Sequence, residues 1–70
     1  MKSNEIKIGQ KVQYKPFKNC NEILIENGII KSFSNSNDVF VVYKCNNDWD
    51  YYYNYTAAKT CIKDLKEGWK

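Results

Sequence analysis

The chain has 70 residues and carries a net charge of +3 from 11 basic and 8 acidic side chains, with no His and only one Pro. One domain over residues 1–70 is the most that this length supports, and folding at this size buries only about 60% of the unfolded surface, so a homo-oligomer is the expected supplement to a thin core. No stretch is long and apolar enough to span a bilayer, and Met1 to Glu5 opens no apolar run, which predicts no signal peptide and a cytosolic compartment.

Strand signals dominate the pass along the chain. "KIGQKVQYKP" alternates at Val12 and Tyr14 after Gly9, and Pro16 closes this first strand because it cannot donate to a ladder. "FKNCNEILIE" is a longer connection whose apolar triplet, Ile23 to Ile25, either packs a loop onto the fold or makes a short strand. "NGIIKSFS" starts on a turn dipeptide, Asn27-Gly28, and then sets Ile29, Lys31 and Phe33 against Ile30 and Ser32 as a second strand. The polar turn "SNSND" joins it in a hairpin to "VFVVYK", the strongest β-run, with Val39, Val41 and Tyr43 on one face and Phe40 and Val42 on the other. Both faces of that strand are apolar, so each needs a cover. "AAKTCI" reads as a further strand and "KDLKEGW" as one helical turn ending near Gly68. The expected fold class is all-β, a small five-stranded barrel with one short helical turn near the C-terminus, burying Val12, Ile30, Phe33, Phe40, Val42, Ile62 and Leu65.

Between the last two strands lies "DWDYYYNYT", with one Trp and four Tyr in seven positions. Two geometries are open. A flat strand would align Trp49, Tyr51, Tyr53 and Tyr55 on one side. A coiled turn with a period of three would align Trp49, Tyr52 and Tyr55 and turn Tyr51 and Tyr53 outward. Packing and ligand contact are both compatible with the second arrangement, since Tyr and Trp favour one wet end.

The chemistry available is narrow. Cys20, Cys45 and Cys61 contain no C-x-x-C pair, and without His a zinc site would lack its fourth ligand, so reduced thiols and no metal are expected. Gly9, Gly28 and Gly68 are isolated and form no phosphate loop, so no cofactor is expected. Asp48, Asp50 and Asp64 sit in polar contexts that give no reason for a raised pKa, Cys45 lacks an activating partner, and no catalytic residue is assigned. All 11 basic residues are Lys, and the missing Arg fork argues against sequence-specific reading of duplex DNA. Nine Asn, seven Ile and six Tyr fit AT-rich coding, which points to an AT-rich bacterium or its phage.

The pieces "GIIKSF", "VFVVY", "CNNDWD", "YNYTAAKT" and "DLKEGW", in this order, resemble small uncharacterised proteins encoded by phages and prophages, over Ile6 to Trp69. That family is similar to barrels of the Src-homology-three type, so the resemblance implies such a barrel and the cytoplasm of a bacterial host. Its W-x-x-Y-x-x-Y-T pattern falls on Trp49, Tyr52, Tyr55 and Thr56, whereas Tyr51 and Tyr53 stand where the pattern is usually polar.

Two binding roles follow as expectations. In the first, Trp49, Tyr52 and Tyr55 with Thr56 stack a nucleotide-like ligand, either a cyclic nucleotide signal or a single-stranded nucleic acid, while Lys44 and Lys59, with Lys31 nearby, neutralise its phosphates. In a phage setting this would counter host defence by sequestering the ligand. In the second, the same aromatics anchor a host defence protein, since Tyr and Trp are typical interface anchors and aromatic grooves on such barrels dock extended peptides.

Overall fold

A computed structural model of the chain describes residues 3–15 and 25–70. Pro16, Cys20 and the first two residues of the apolar triplet, Ile23 and Leu24, fall outside the described residues. Five strands, β1 (Lys11–Tyr14), β2 (Glu26–Phe33), β3 (Asp38–Val42), β4 (Ala58–Cys61) and β5 (Leu65–Glu67), form one antiparallel sheet in the order β4-β3-β2-β1-β5. Short 3-10 helices span Ser3–Glu5, Trp49–Asn54 and Ile62–Asp64.

The all-β class and the five antiparallel strands agree with the sequence, and the sheet, expected as a small barrel, is not closed by strand pairing. β4 and β5 occupy its two ends and do not pair with each other. The reason is local: after β4 the chain makes one 3-10 turn, Ile62–Asp64, and spends all three residues of β5 on β1. The expected short helical turn near the C-terminus is present at Ile62–Asp64, but it does not run on to Gly68, because Leu65–Glu67 is a strand whose pairing overrides the weak β-propensity of Lys and Glu.

The β2–β3 hairpin is fixed by its turn. Asn35 Oδ1 accepts from the N–H groups of Asn37 and Asp38 at 2.8 and 3.0 Å, and its Nδ2 donates to Asp38 Oδ2 at 3.0 Å. Such local side-chain bonds are the reason Asn-rich stretches make turns. The register then slips between Ile30 and Ser32, so that Ile30 faces Val41 but Phe33 faces Val39. A one-residue irregularity reverses the alternation beyond it.

On one face Val12, Ile30, Val39 and Val41 pack with Ile6, Ile62 and Leu65, with Tyr14 and Tyr43 at the margin. Val39 and Leu65 come from strands separated by two others, so the sheet curls around this cluster. The opposite face carries Ile29 and Val42, paired across β2 and β3 and buried to 4% and 0% exposure. Of the expected core, Val12, Ile30, Val42, Ile62 and Leu65 are buried. Phe33 is corrected: it lies beyond the slip, next to the turn at 34–37 that closes the hairpin, and is 53% exposed, and Phe40 is only half-buried. Gly28 is corrected too, since it sits within β2 opposite Val12 and makes no turn.

Candidate functional site

The aromatic segment is coiled. Trp49–Asn54 forms two short 3-10 turns meeting at a kink at Tyr51, and no residue in it is fully buried. Asn46 and Asn47 lead into it with φ of 51° and 64°, a left-handed pair that Asn tolerates better than other side chains. Trp49 and Tyr52 point one way and are half-buried, while Tyr51 and Tyr53 are 53% and 54% exposed.

Trp49 and Tyr52 serve as packing. Trp49 meets the Trp69 ring with centroids 4.7 Å apart, Trp69 Nε1 donates to Gly28 O at 2.8 Å, and Lys11 Nζ lies 4.7 Å from the centre of the Trp69 ring. Lys11 stands opposite Ile29, so this tryptophan pair lies on the Ile29–Val42 face. Tyr52 Oη comes within 3.2 Å of where a side chain on Gly9 would begin. The aromatic helix, which packs on β2, therefore supplies the cover that the second face of the sheet requires.

Tyr55 is separated from the other two. It follows the helix in extended backbone, its hydroxyl donates to Asp48 Oδ2 at 2.9 Å, and Lys31 Nζ donates to its carbonyl at 2.7 Å. The Asp48 contact raises the Tyr55 pKa. Lys31 is thereby occupied with the loop.

Tyr55 and Thr56 line a cleft of about 460 Å³ with Glu26, Val41, Tyr43, Lys44, Ala57 and Ala58. Beside it a second cleft of about 310 Å³ is bounded by Tyr14, Glu26, Tyr43, Asp64 and the whole of β4, Lys59 included. Glu26, Tyr43 and Ala58 belong to both, so the two make one trough along β4 with Tyr43 between its halves. It lies in the seam left by the open sheet, where the curl brings the end of β1 towards β4. Tyr43 is held there by a 2.8 Å hydrogen bond between its hydroxyl and Thr60 Oγ1 and by the Tyr14 ring at 5.9 Å. Burial pushes its phenol up to about 12 despite the Thr60 bond, with the charges of Glu26 and Asp64 acting in the same direction.

The six residues singled out from the sequence are thus divided. Tyr55, Thr56 and Lys44 share the larger cleft, Lys59 borders the smaller, and Trp49 and Tyr52 border neither. Reasoning from sequence missed Tyr14, Glu26, Tyr43 and Asp64, which are distant in the chain and meet only through the curl. The one available signal was Tyr43, an aromatic continuing the inward alternation of Val39 and Val41. The thiol of Cys61, beside Asp38, has a raised pKa, chiefly because it hydrogen-bonds that carboxylate, and Cys45 is buried. Among the described residues, no three His, Cys, Asp or Glu side chains cluster as metal ligands would. Compared with protein-family models, curated proteins and solved structures, the chain matches none.

Proposed function

We propose that this chain is a non-enzymatic binding module that holds an extended segment of a partner protein in the Tyr43 trough. The observation that carries this reading is the shape and lining of the trough: it follows residues 55 to 61 and is walled by Tyr14, Tyr43 and Tyr55. A run of about six extended residues spans about 20 Å, which suits a peptide better than a compact ligand. The strand order, with a 3-10 turn between the two edge strands, supports an open variant of the Src-homology-three-like barrel. The likeness of its motifs to phage and prophage proteins makes a host protein the proposed partner and counter-defence the proposed setting.

A nucleotide-like ligand is the second reading, favoured by Tyr55, Thr56 and Lys44 in one cleft of ordinary ligand size. Against it, Lys44 and Lys59 border different halves, and Glu26 borders both. Phosphate sites gather cations, and the smaller half of this trough is bordered by the carboxylates of Glu26 and Asp64.

Selection of a displayed random peptide library on the purified protein tests the proposal, alongside titration with cyclic dinucleotides and oligothymidine. Enriched peptides that bind the native chain but not Ala58→Arg, which fills both halves from an exposed position, are the expected result. If no peptide is enriched while a nucleotide binds with strong salt dependence that the Lys44→Gln, Lys59→Gln double variant removes, the second reading replaces the first.

A further inference from the structure

Resting on the peptide-binding reading, and naming how the peptide is held, the geometry points to strand addition: we propose that the partner segment pairs backbone to backbone with the free edge of β4 and places a Lys or Arg side chain between Glu26 and Asp64.

Among the described residues β4 ends the sheet, and only its β3 side is paired. Ile62 donates its N–H to Asn37 O at 2.9 Å, continuing the β3–β4 ladder. Inward-pointing residues alternate in an antiparallel pair, so Thr60 and Ala58 also turn their N–H and C=O groups to β3. Lys59 then turns its N–H and C=O to the open edge and Cys61 its N–H, while the Cys61 carbonyl opens the 3-10 turn Ile62–Asp64 as its N-cap; among the described residues no other backbone group pairs with the first three. Their side chains stand opposite Phe40 and Asp38, on the face away from Val39, so what these two residues offer to the trough is backbone. A row of unpaired amides and carbonyls beside a side-chain pocket is the arrangement that strand addition uses. Ala57 and Ala58 keep the approach open because neither projects beyond a methyl group.

Charge selects the occupant. Glu26 and Asp64 border the smaller cleft, and neither makes a side-chain ion pair or hydrogen bond among the described residues. Two carboxylates without a lysine partner among the described residues, on a chain of net charge +3, complement a cationic side chain. The incoming residue opposite Thr60 faces the trough, next to Tyr43, and is the position for Lys or Arg. Its neighbours two places away lie over the Tyr14 and Tyr43 rings and favour apolar groups.

The probe is a synthetic copy of the strongest peptide from the library selection, with each amide methylated in turn. Loss of affinity at alternate positions, about 10-fold each, with little effect between them, is expected from removing one ladder hydrogen bond at a time. Amide exchange at Lys59 and Cys61 should slow on binding, while that at Thr60, already bonded to β3, should change little. The Glu26→Gln, Asp64→Asn double variant should weaken binding by about 10-fold and relax the demand for a basic residue. If the peptide binds and Ala58→Arg blocks it, but the methylation scan is flat and the Lys59 and Cys61 amides do not change, strand addition is wrong and the peptide-binding reading stands. Protection of those two amides in the free protein, with concentration-dependent sedimentation, would assign the β4 edge to a second copy and likewise overturn the proposal. A library that yields no binder sinks the peptide-binding reading itself.

Discussion

At Gly28 the sheet has no room for a side chain, because a Cβ there would meet Val41 Cγ1 at 2.6 Å and Val42 O at 2.9 Å. One neighbour is backbone, so relief by a rotamer change is not open to it. Gly28→Ala should therefore destabilise the fold by about 1 to 3 kcal/mol, measured by urea denaturation, as overpacking generally does. A neutral or stabilising result would mean that β2 and β3 separate more easily than their pairing suggests. Tyr43 gives a prediction in pH. Its folded pKa is about 12 against an ordinary value of 10.0, so the folded state keeps its proton more tightly than the unfolded state does. Its stability contribution is fully present below about pH 10 and is lost as pH rises towards 12. Thermal melts across that window should fall less steeply for Tyr43→Phe than for the native chain, and parallel curves would show that Tyr43 does not carry the effect. These residues were unequally legible. The alternation of Val39, Val41 and Tyr43 was visible in the sequence, but the tight approach at Gly28 depends on Val41 across the sheet, so Asn27-Gly28 looked like a turn.

The aromatic 3-10 helix divides its side chains between two tasks, and truncation should separate them. Trp49→Ala removes the partner of Trp69 on the Ile29–Val42 face and should cost more than about 1 kcal/mol, since aromatic pairs add about 0.5 to 1.5 kcal/mol beyond their buried area. Tyr51→Ala and Tyr53→Ala, at exposed positions, should stay within about 0.5 kcal/mol. Equal losses at all three positions in chemical denaturation would contradict this division. The period of three in W-x-x-Y-x-x-Y foretold the coil, since residues three apart stack along a 3-10 helix. It also implied that Tyr55 continues the stack, and there it failed, because the backbone turns extended at Tyr55. In β2 the strand period was equally clear up to Ile30. The slip at Ser32 then carried Phe33 to the other phase, and a bulge has no strong signature in a run such as Lys-Ser-Phe.

Across the whole molecule, one sheet separates two apolar layers of different origin, the aliphatic cluster on one side and the tryptophan pair on the other. Because β2 and β3 contribute to both, the layers should unfold together. Tryptophan fluorescence, which reports the second layer, and far-ultraviolet circular dichroism, which reports the strands, should give coincident denaturation curves. An earlier fluorescence transition would show that the aromatic helix detaches from an intact sheet. The strand content was readable because alternation is local, whereas the trough was not, because Tyr14, Glu26, Tyr43 and Asp64 gather only once the sheet has curled. The pairing of β1 with β5 also constrains the order of events in folding. The β2–β3 hairpin closes over a four-residue turn, but Val12 must find Glu67, and Gln13 bonds Gly68 from 55 positions away. Closing so long a loop draws on chain entropy before any contact compensates it, so β5 should dock late, onto a sheet already built from β2 and β3. Despite its small size, the chain then belongs with the slow folders, completing its sheet on a timescale of about milliseconds to seconds.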